Sequence, residues 1–190
     1  MASERVQVKL YARDPSAVEL EKFVPVFHRW IRDGLLDEPV IDVADYQHVH
    51  EGPGILLVGH GSDYYLETRE NRPGLLYSRK RGFEGDGPAR LADAFHRALK
   101  ACRLLEQDDS LPGLEFGTGE LLVRIPDRLN APNTDETFEA LRPELEEVLG
   151  RFLGGTAFTA EREGTEREPF TVRIRAEGAP DVETLLSRLS

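Results

Sequence analysis

Three of the five histidines of the chain lie close together, at His48, His50 and His60. His48 and His50 are two residues apart, so on an extended chain their side chains point to the same side. His60 ends a short apolar run, and Asp63 follows it. Imidazole and carboxylate groups are ligands of Zn²⁺, Mn²⁺ and Fe²⁺, so this pattern predicts a metal site formed by His48, His50 and His60.

The same histidines are also typical of turns and strand ends, where water or backbone groups satisfy an imidazole. The apolar run between them, if it is a strand, places His48 and His50 about 20 Å from His60. The sequence has no HExxH or paired-cysteine pattern. A metal-dependent hydrolase, with Asp63 or Glu51 as a further ligand or general base, is therefore an alternative function.

A basic group, Arg79 to Arg81, follows the next apolar strands and leads through a glycine-rich loop into a helix. Cations beside a helix N-terminus can bind a phosphate or carboxylate, whereas charges on an edge strand can also serve only to prevent aggregation. On the first interpretation we expect a crevice near the His60 turn that binds a small anionic molecule or a protein partner. Its predicted binding residues are His60, Asp63, Tyr65, Arg79 and Arg81.

These residues belong to one stretch, residues 54–81, which reads as a β-meander of three antiparallel strands. Its apolar runs are separated by Gly-His-Gly-Ser-Asp and by Glu-Asn-Arg-Pro-Gly, which are turn sequences. Residues 55–58 are apolar at every position, as in a strand that is covered on both faces. The pattern therefore predicts that this strand is central in its sheet.

The remaining pattern predicts an α+β fold, with helices packed on one face of antiparallel or mixed sheets. Asp14 and Pro15 begin a helix that continues to Gly34 with a kink at Pro25. Cys102 lies on the apolar stripe of a later helix, so we expect it in the core. Other predicted strands are 6–10, 40–46, 156–163, 170–177 and a hairpin 114–125 turning at 117–119, and the other predicted helices are 89–106, 133–153 and one after 181.

An internal similarity relates the two parts of the chain. With an offset of 118 residues, Pro25 aligns with Pro143 inside matching apolar stripes (143 − 25 = 118). Both parts also have the order β-α-β-β-α. This favours pseudo-duplicated ferredoxin-like halves, residues 1–112 and 113–190, packed as one unit with the meander inserted in the first. The alternative is that any two amphipathic helices align in this way.

The composition and charge of the chain argue against some classes of function. The chain has 190 residues, 39% of them hydrophobic, and a formal net charge of −11. An acidic protein is unsuited to general binding of nucleic acid or an anionic membrane, because both require neutralised phosphates. The sequence shows no signal-peptide pattern and no apolar run of about 18 residues, so we expect a cytoplasmic protein.

These features together favour a cytoplasmic ligand-binding or protein-interaction module with its crevice near the His60 turn. A third alternative is a structural or assembly subunit, in which an exposed sheet edge and the acidic helix 135–151 form a homo-oligomer. The glutamates of that helix are most simply a solvated face.

Overall fold

The computed structural model describes residues 5–50 and 52–189. The strands are β1 (Val6–Ala12), β2 (Val40–Asp45), β3 (Ile55–Gly59), β4 (Ser62–Glu67), β5 (Gly74–Arg79), β6 (Phe116–Ile125), β7 (Thr159–Glu163) and β8 (Phe170–Arg175). The helices are α1 (Leu20–Asp33), α2 (Gly87–Glu106), α3 (Asp135–Leu153) and α4 (Val182–Leu189). No helix in this described part has the length and apolarity needed to cross a bilayer.

The eight strands form one sheet in the order β2-β3-β4-β5-β1-β6-β8-β7. Every pair of neighbouring strands is antiparallel. The predicted α+β class with antiparallel strands is thus confirmed. The pairing of β1 with β6 joins residues of both predicted halves in one continuous sheet.

The core lies between the helices and one face of this sheet. Val8 and Leu10 of β1 and Val123 of β6 project into it and are fully or almost fully buried. From the helices, the rings of Phe95 and Phe152 meet with centroids 4.9 Å apart. Burial of each such side chain contributes about 1.5–3 kcal/mol to stability. All four helices contribute to this one cluster, so they share the same side of the sheet.

The strand β3 is not central, contrary to the sequence prediction. It lies one position from the edge, between β2 and β4. Its burial alternates, with Ile55 and Leu57 fully buried and Leu56 and Val58 only partly buried. The prediction was wrong because the helices cover only one face of the sheet. On the other face, neighbouring side chains partly bury Leu56 and Val58, and this partial burial is sufficient for apolar residues.

The predicted hairpin at residues 114–125 is one strand instead. β6 pairs with β1 along its length, with a register shift between Leu10 and Tyr11. Leu10 lies opposite Leu121 and Tyr11 opposite Gly117, so the Gly-Thr-Gly segment is accommodated as a bulge. Neither Gly117 nor Gly119 has a left-handed φ in this bulge, so the glycines that suggested a turn are not used as turn residues.

The first helix begins later than predicted. Asp14 caps a short 3₁₀ turn by accepting the N–H of Ser16, and α1 starts only at Leu20. Pro25 and Pro143 both lie inside helices, as expected. The ferredoxin-like duplication that they suggested stays a prediction.

Candidate functional site

Strand alternation exposes a second set of side chains on the face of the sheet opposite the helices, called the open face below. Leu76 and Leu122 lie there, outside the main core, yet each is only 5% exposed. Long polar neighbours and the adjoining loops cover them. The other side chains on this face include Gln7, Lys9, Tyr11, Asp63, Tyr65, Glu67, Ser78, Arg124, Thr171 and Arg173.

A groove runs along the open face as three adjoining cavities of about 520, 240 and 220 Å³. The first and second share Gln7, Tyr65 and Pro126. The second and third share Arg69, Arg124 and Pro169. We name the three parts the Arg81 end, the middle and the Arg173 end. Their combined size is that of a small-molecule site.

The Arg81 end combines a neutralised carboxylate with an available cation. Asp63 accepts hydrogen bonds from Lys80 Nζ at 2.8 Å and from the N–H of Gly59 at 3.2 Å. The hydroxyl of Tyr65 donates to Asp63 at 3.4 Å, and burial together with that carboxylate raises the pKa of Tyr65 to about 12. Arg81 is exposed, and no side chain of the described chain pairs with its guanidinium. An anion could therefore reach Arg81 without displacing an internal partner.

The middle of the groove has an apolar floor and one arginine. Tyr65 and Leu76 face each other across β4 and β5, and proline rings form much of the lining. Arg124 is partly buried, and its Nε donates only a 3.4 Å hydrogen bond to the hydroxyl of Thr171. It forms no ion pair with any residue in 5–50 or 52–189. A guanidinium in this state can still bind an external carboxylate through two parallel hydrogen bonds.

A buried ion pair lies beside this floor. Lys9 Nζ is 3.2 Å from Glu67 Oε2, and the two side chains are 4% and 5% exposed. Burial lowers the pKa of Lys9, although the charge of Glu67 acts in the opposite direction. Glu67 Oε2 has no well-aligned hydrogen bond in the described structure, so charge alone attracts it to the ammonium. This region excludes water, which strengthens electrostatic interactions in the groove above it.

At the Arg173 end the charges neutralise one another. Arg173 forms ion pairs with Glu163 and Glu120, and Arg72 also binds Glu120 at 2.7 Å. Burial of Glu120 is outweighed by these hydrogen bonds, so its pKa is lowered. Arg72 further stacks 3.8 Å above the ring of Tyr11. Arg72 and Arg173 are therefore already occupied at this end.

The structure brings only part of the predicted anion crevice together. Asp63, Tyr65 and Arg81 line the groove. Arg79 borders it, but its guanidinium is buried on the helix side and forms an ion pair with Asp93. His60 is exposed in the turn between β3 and β4, away from the groove lining, and its backbone N–H donates to the carbonyl of Pro39 at 3.2 Å.

The predicted metal ligands are not gathered in the same way. His48 and His50 are exposed in the loop after β2, whereas His60 lies beyond the other end of β3. The five residues of β3 span about 17 Å. Glu51 lies outside the described residues. Among residues 5–50 and 52–189, no group of three or more His, Cys, Asp or Glu side chains is arranged to hold a metal ion.

Sequence reasoning missed the residues that shape the middle of the groove, namely Lys9, Glu67 and Arg124. A signal was present, because Lys9 and Arg124 alternate with aliphatic residues in strands that proved to be central. A charge at such a position must lie on the less covered face and needs a partner or a ligand. The sequence did not reveal which charges would meet, because this depends on the register between β1, β4, β5 and β6.

Comparison with protein-family models and with curated protein sequences finds no match to this chain. The function is therefore inferred from the geometry of the groove. Its fixed hydrogen-bond networks, apolar floor and two available guanidinium groups are suited to noncovalent recognition of an anion.

Proposed function

We propose that the protein binds a small anionic molecule in the groove of the open face. The observation that carries this proposal is the state of Arg124, which is partly buried where two cavities meet and forms no ion pair in the described structure. Its charge does act on Glu168, whose pKa is lowered by hydrogen bonds from Thr165 and by Arg124. The chain contains 35 acidic and 24 basic residues. In such an acidic protein an arginine beside glutamates finds an ion pair easily, so one without a partner at a cavity is suited to an external anion.

Two further features support the proposal. Arg81 offers a second guanidinium at the other end of the same groove, so a ligand of sufficient length can contact both. The buried Lys9–Glu67 pair and the aliphatic floor exclude water below the ligand. Hydrogen bonds between charged groups are about twice as strong as neutral ones, and exclusion of water preserves that advantage.

Thermal unfolding in the presence of benzoate, phosphate and citrate tests this function. A ligand that binds only the folded state stabilises it by about 2.7 kcal/mol at a concentration 100 times its Kd. We expect at least one anion to raise the unfolding midpoint in proportion to the logarithm of its concentration. Arg124→Gln should abolish the shift, whereas Arg151→Gln, which changes an exposed arginine of α3, should retain it.

Sodium chloride at equal ionic strength is the control for screening. If none of the three anions exceeds the effect of chloride, the proposed function is contradicted. The same conclusion follows if Arg124→Gln and Arg151→Gln respond equally, since the stabilisation would then come from general charge screening.

A second candidate function, assembly with another copy of the chain, is favoured by the edge strand β2. Of the large hydrophobic side chains exposed in the described structure, Ile41 lies on β2, and Leu35, Tyr46 and Val49 lie within five residues of it in the sequence. Pairing of β2 with the same strand of a second copy would give a symmetric interface. Light scattering should then show a dimer for the natural chain and a monomer for Ile41→Lys. A monomer in both cases contradicts assembly.

A further inference from the structure

We infer that the ligand of the groove is an aromatic monocarboxylate, with its ring system in the middle of the groove and its carboxylate on Arg124. This inference rests on the proposed function and specifies the ligand class. It follows from three observations: the shape of the apolar lining, the position of the arginine and the acidic groups around it.

The apolar part of the lining of the middle consists of strand side chains and proline rings. Leu76 and Tyr65 are direct cross-strand neighbours, so their side chains form one continuous surface. Three loops add proline rings to this surface: Pro53 before β3, Pro126 after β6 and Pro169 before β8. Strand positions and proline rings have little freedom to lose, so a flat ligand is bound at a small entropic cost.

The distance to Arg124 suits a carboxylate attached directly to the ring. Leu76 pairs with Lys9 and Arg124 pairs with Gln7 on the two sides of β1, so their backbones are two strands and two residues apart, or about 12 Å. An extended arginine side chain spans more than half of that distance. The cavity of about 240 Å³ has the volume of roughly eight water molecules, which suits one or two rings.

The charges near Arg124 favour a single negative charge over several. Glu67 lies in the lining of the middle, and Glu163 and Glu168 lie in that of the adjoining Arg173 end. Arg173, the cation nearest to Glu163, is already bound to it. Glu67 is likewise paired with Lys9, but Glu168 forms no ion pair in the described structure and accepts hydrogen bonds only from Thr165. A phosphate or tricarboxylate at Arg124 would place additional negative charge close to Glu168, which repels it.

Isothermal titration calorimetry with naphthoate, naphthamide, citrate and acetate tests the inference. Naphthamide keeps the rings without the charge, and the last two keep the charge without the rings. We expect naphthoate to bind at least about tenfold more tightly than each of the others, since one charged hydrogen-bonded contact is worth about that factor. Arg124→Gln should weaken naphthoate binding about tenfold or more, and Arg151→Gln should not change it.

Leu76→Ala tests the apolar floor, and it should weaken naphthoate binding several-fold without altering the binding of citrate. If that variant does not fold by circular dichroism, Pro169→Ala at the cavity wall replaces it. Citrate binding equal to that of naphthoate, and lost in Arg124→Gln, would overturn the aromatic ligand and leave the anion site intact. Absence of binding for all four compounds would overturn the inference, and the proposed anion site as well if benzoate and phosphate also fail to raise the unfolding midpoint. Naphthoate binding that Arg124→Gln leaves unchanged would overturn the inference and the anion site together.

Discussion

Replacement of Glu67 by glutamine removes the carboxylate that faces Lys9 beneath the groove. At a separation of 3.2 Å and an effective dielectric constant of about 20, the attraction between the two charges is about 5 kcal/mol. Without Glu67, the ammonium of Lys9 is left in a site that is 4% exposed. Loss of one partner of a buried ion pair costs about 3–5 kcal/mol, so we expect Glu67→Gln to destabilise the protein by that amount.

The pH dependence provides an independent check. The ordinary pKa of a lysine is 10.5, so deprotonation of Lys9 at about pH 7 costs about 5 kcal/mol. This is the upper limit of the destabilisation by Glu67→Gln, because Lys9 can lose its proton instead of staying charged without a partner. Burial lowers the pKa of Lys9 in the folded state, so the folded state binds fewer protons than the unfolded state between the two pKa values. Stability from this group therefore rises with pH. The deficit of Glu67→Gln relative to the natural chain should shrink by up to about 1.4 kcal/mol per pH unit and disappear below pH 10.5, because the pKa of Lys9 is already lowered in the natural chain.

Urea unfolding of the natural chain, both single variants and the double variant Lys9→Met with Glu67→Gln measures the coupling. Lys9→Met should cost less than Glu67→Gln, because Arg69 Nε remains 3.3 Å from Glu67 and compensates part of its charge. The double variant should lie within about 1 kcal/mol of the natural chain. If Glu67→Gln alone costs under about 1 kcal/mol, the pair is solvated and the floor of the groove does not exclude water.

Three other predictions concern buried groups outside the groove. Tyr64 is 1% exposed, and its pKa is raised first by burial and then by the charge of Glu38. Its hydroxyl therefore stays protonated above pH 10 in the folded state, whereas the same tyrosine ionises in the unfolded chain. Stability should therefore fall above about pH 10, and Tyr64→Phe should reduce that slope by about 1.4 kcal/mol per pH unit in urea titrations; an unchanged slope contradicts this. Cys102 is fully buried with a raised pKa, so a thiol reagent should react with it only in urea, and rapid reaction of the folded protein would show that the core opens. Burial also raises the pKa of Glu106, so its contribution to stability falls as the pH rises from about 4.5. Glu106→Gln, which can still accept the N–H of Phe116, should be more stable than the natural chain at neutral pH and equal to it in acid; equal stability at both contradicts it.

Local patterns predicted most of the secondary structure. Val6, Val8 and Leu10 alternate with polar residues and form β1, and the turn sequences between residues 54 and 81 do separate β3, β4 and β5. The patterns failed where a nonlocal partner decides the outcome. The segment before Glu120 is a bulge only because β1 lies beside it, and β3 is near an edge only because of the order of the whole sheet.

The candidate site was predictable to a similar extent. Asp63, Tyr65 and Arg81 are close in sequence on one meander, so a local argument placed them together, and the groove contains all three. Arg124 is 43 positions beyond Arg81, and no local pattern connects it with Tyr65 (124 − 81 = 43). Arg79 alternates with Ser78 and therefore faces the helices, where its guanidinium pairs with Asp93.

The pairing of β1 with β6 also has a consequence for folding during synthesis. Gln7 pairs with Arg124, so β1 can pair with β6 only after a further 117 residues have left the ribosome (124 − 7 = 117). Until then the nascent chain presents β1 with one edge unpaired, and such edges promote aggregation. A chain truncated after residue 112 would keep that edge permanently, so we expect it to be recovered in inclusion bodies.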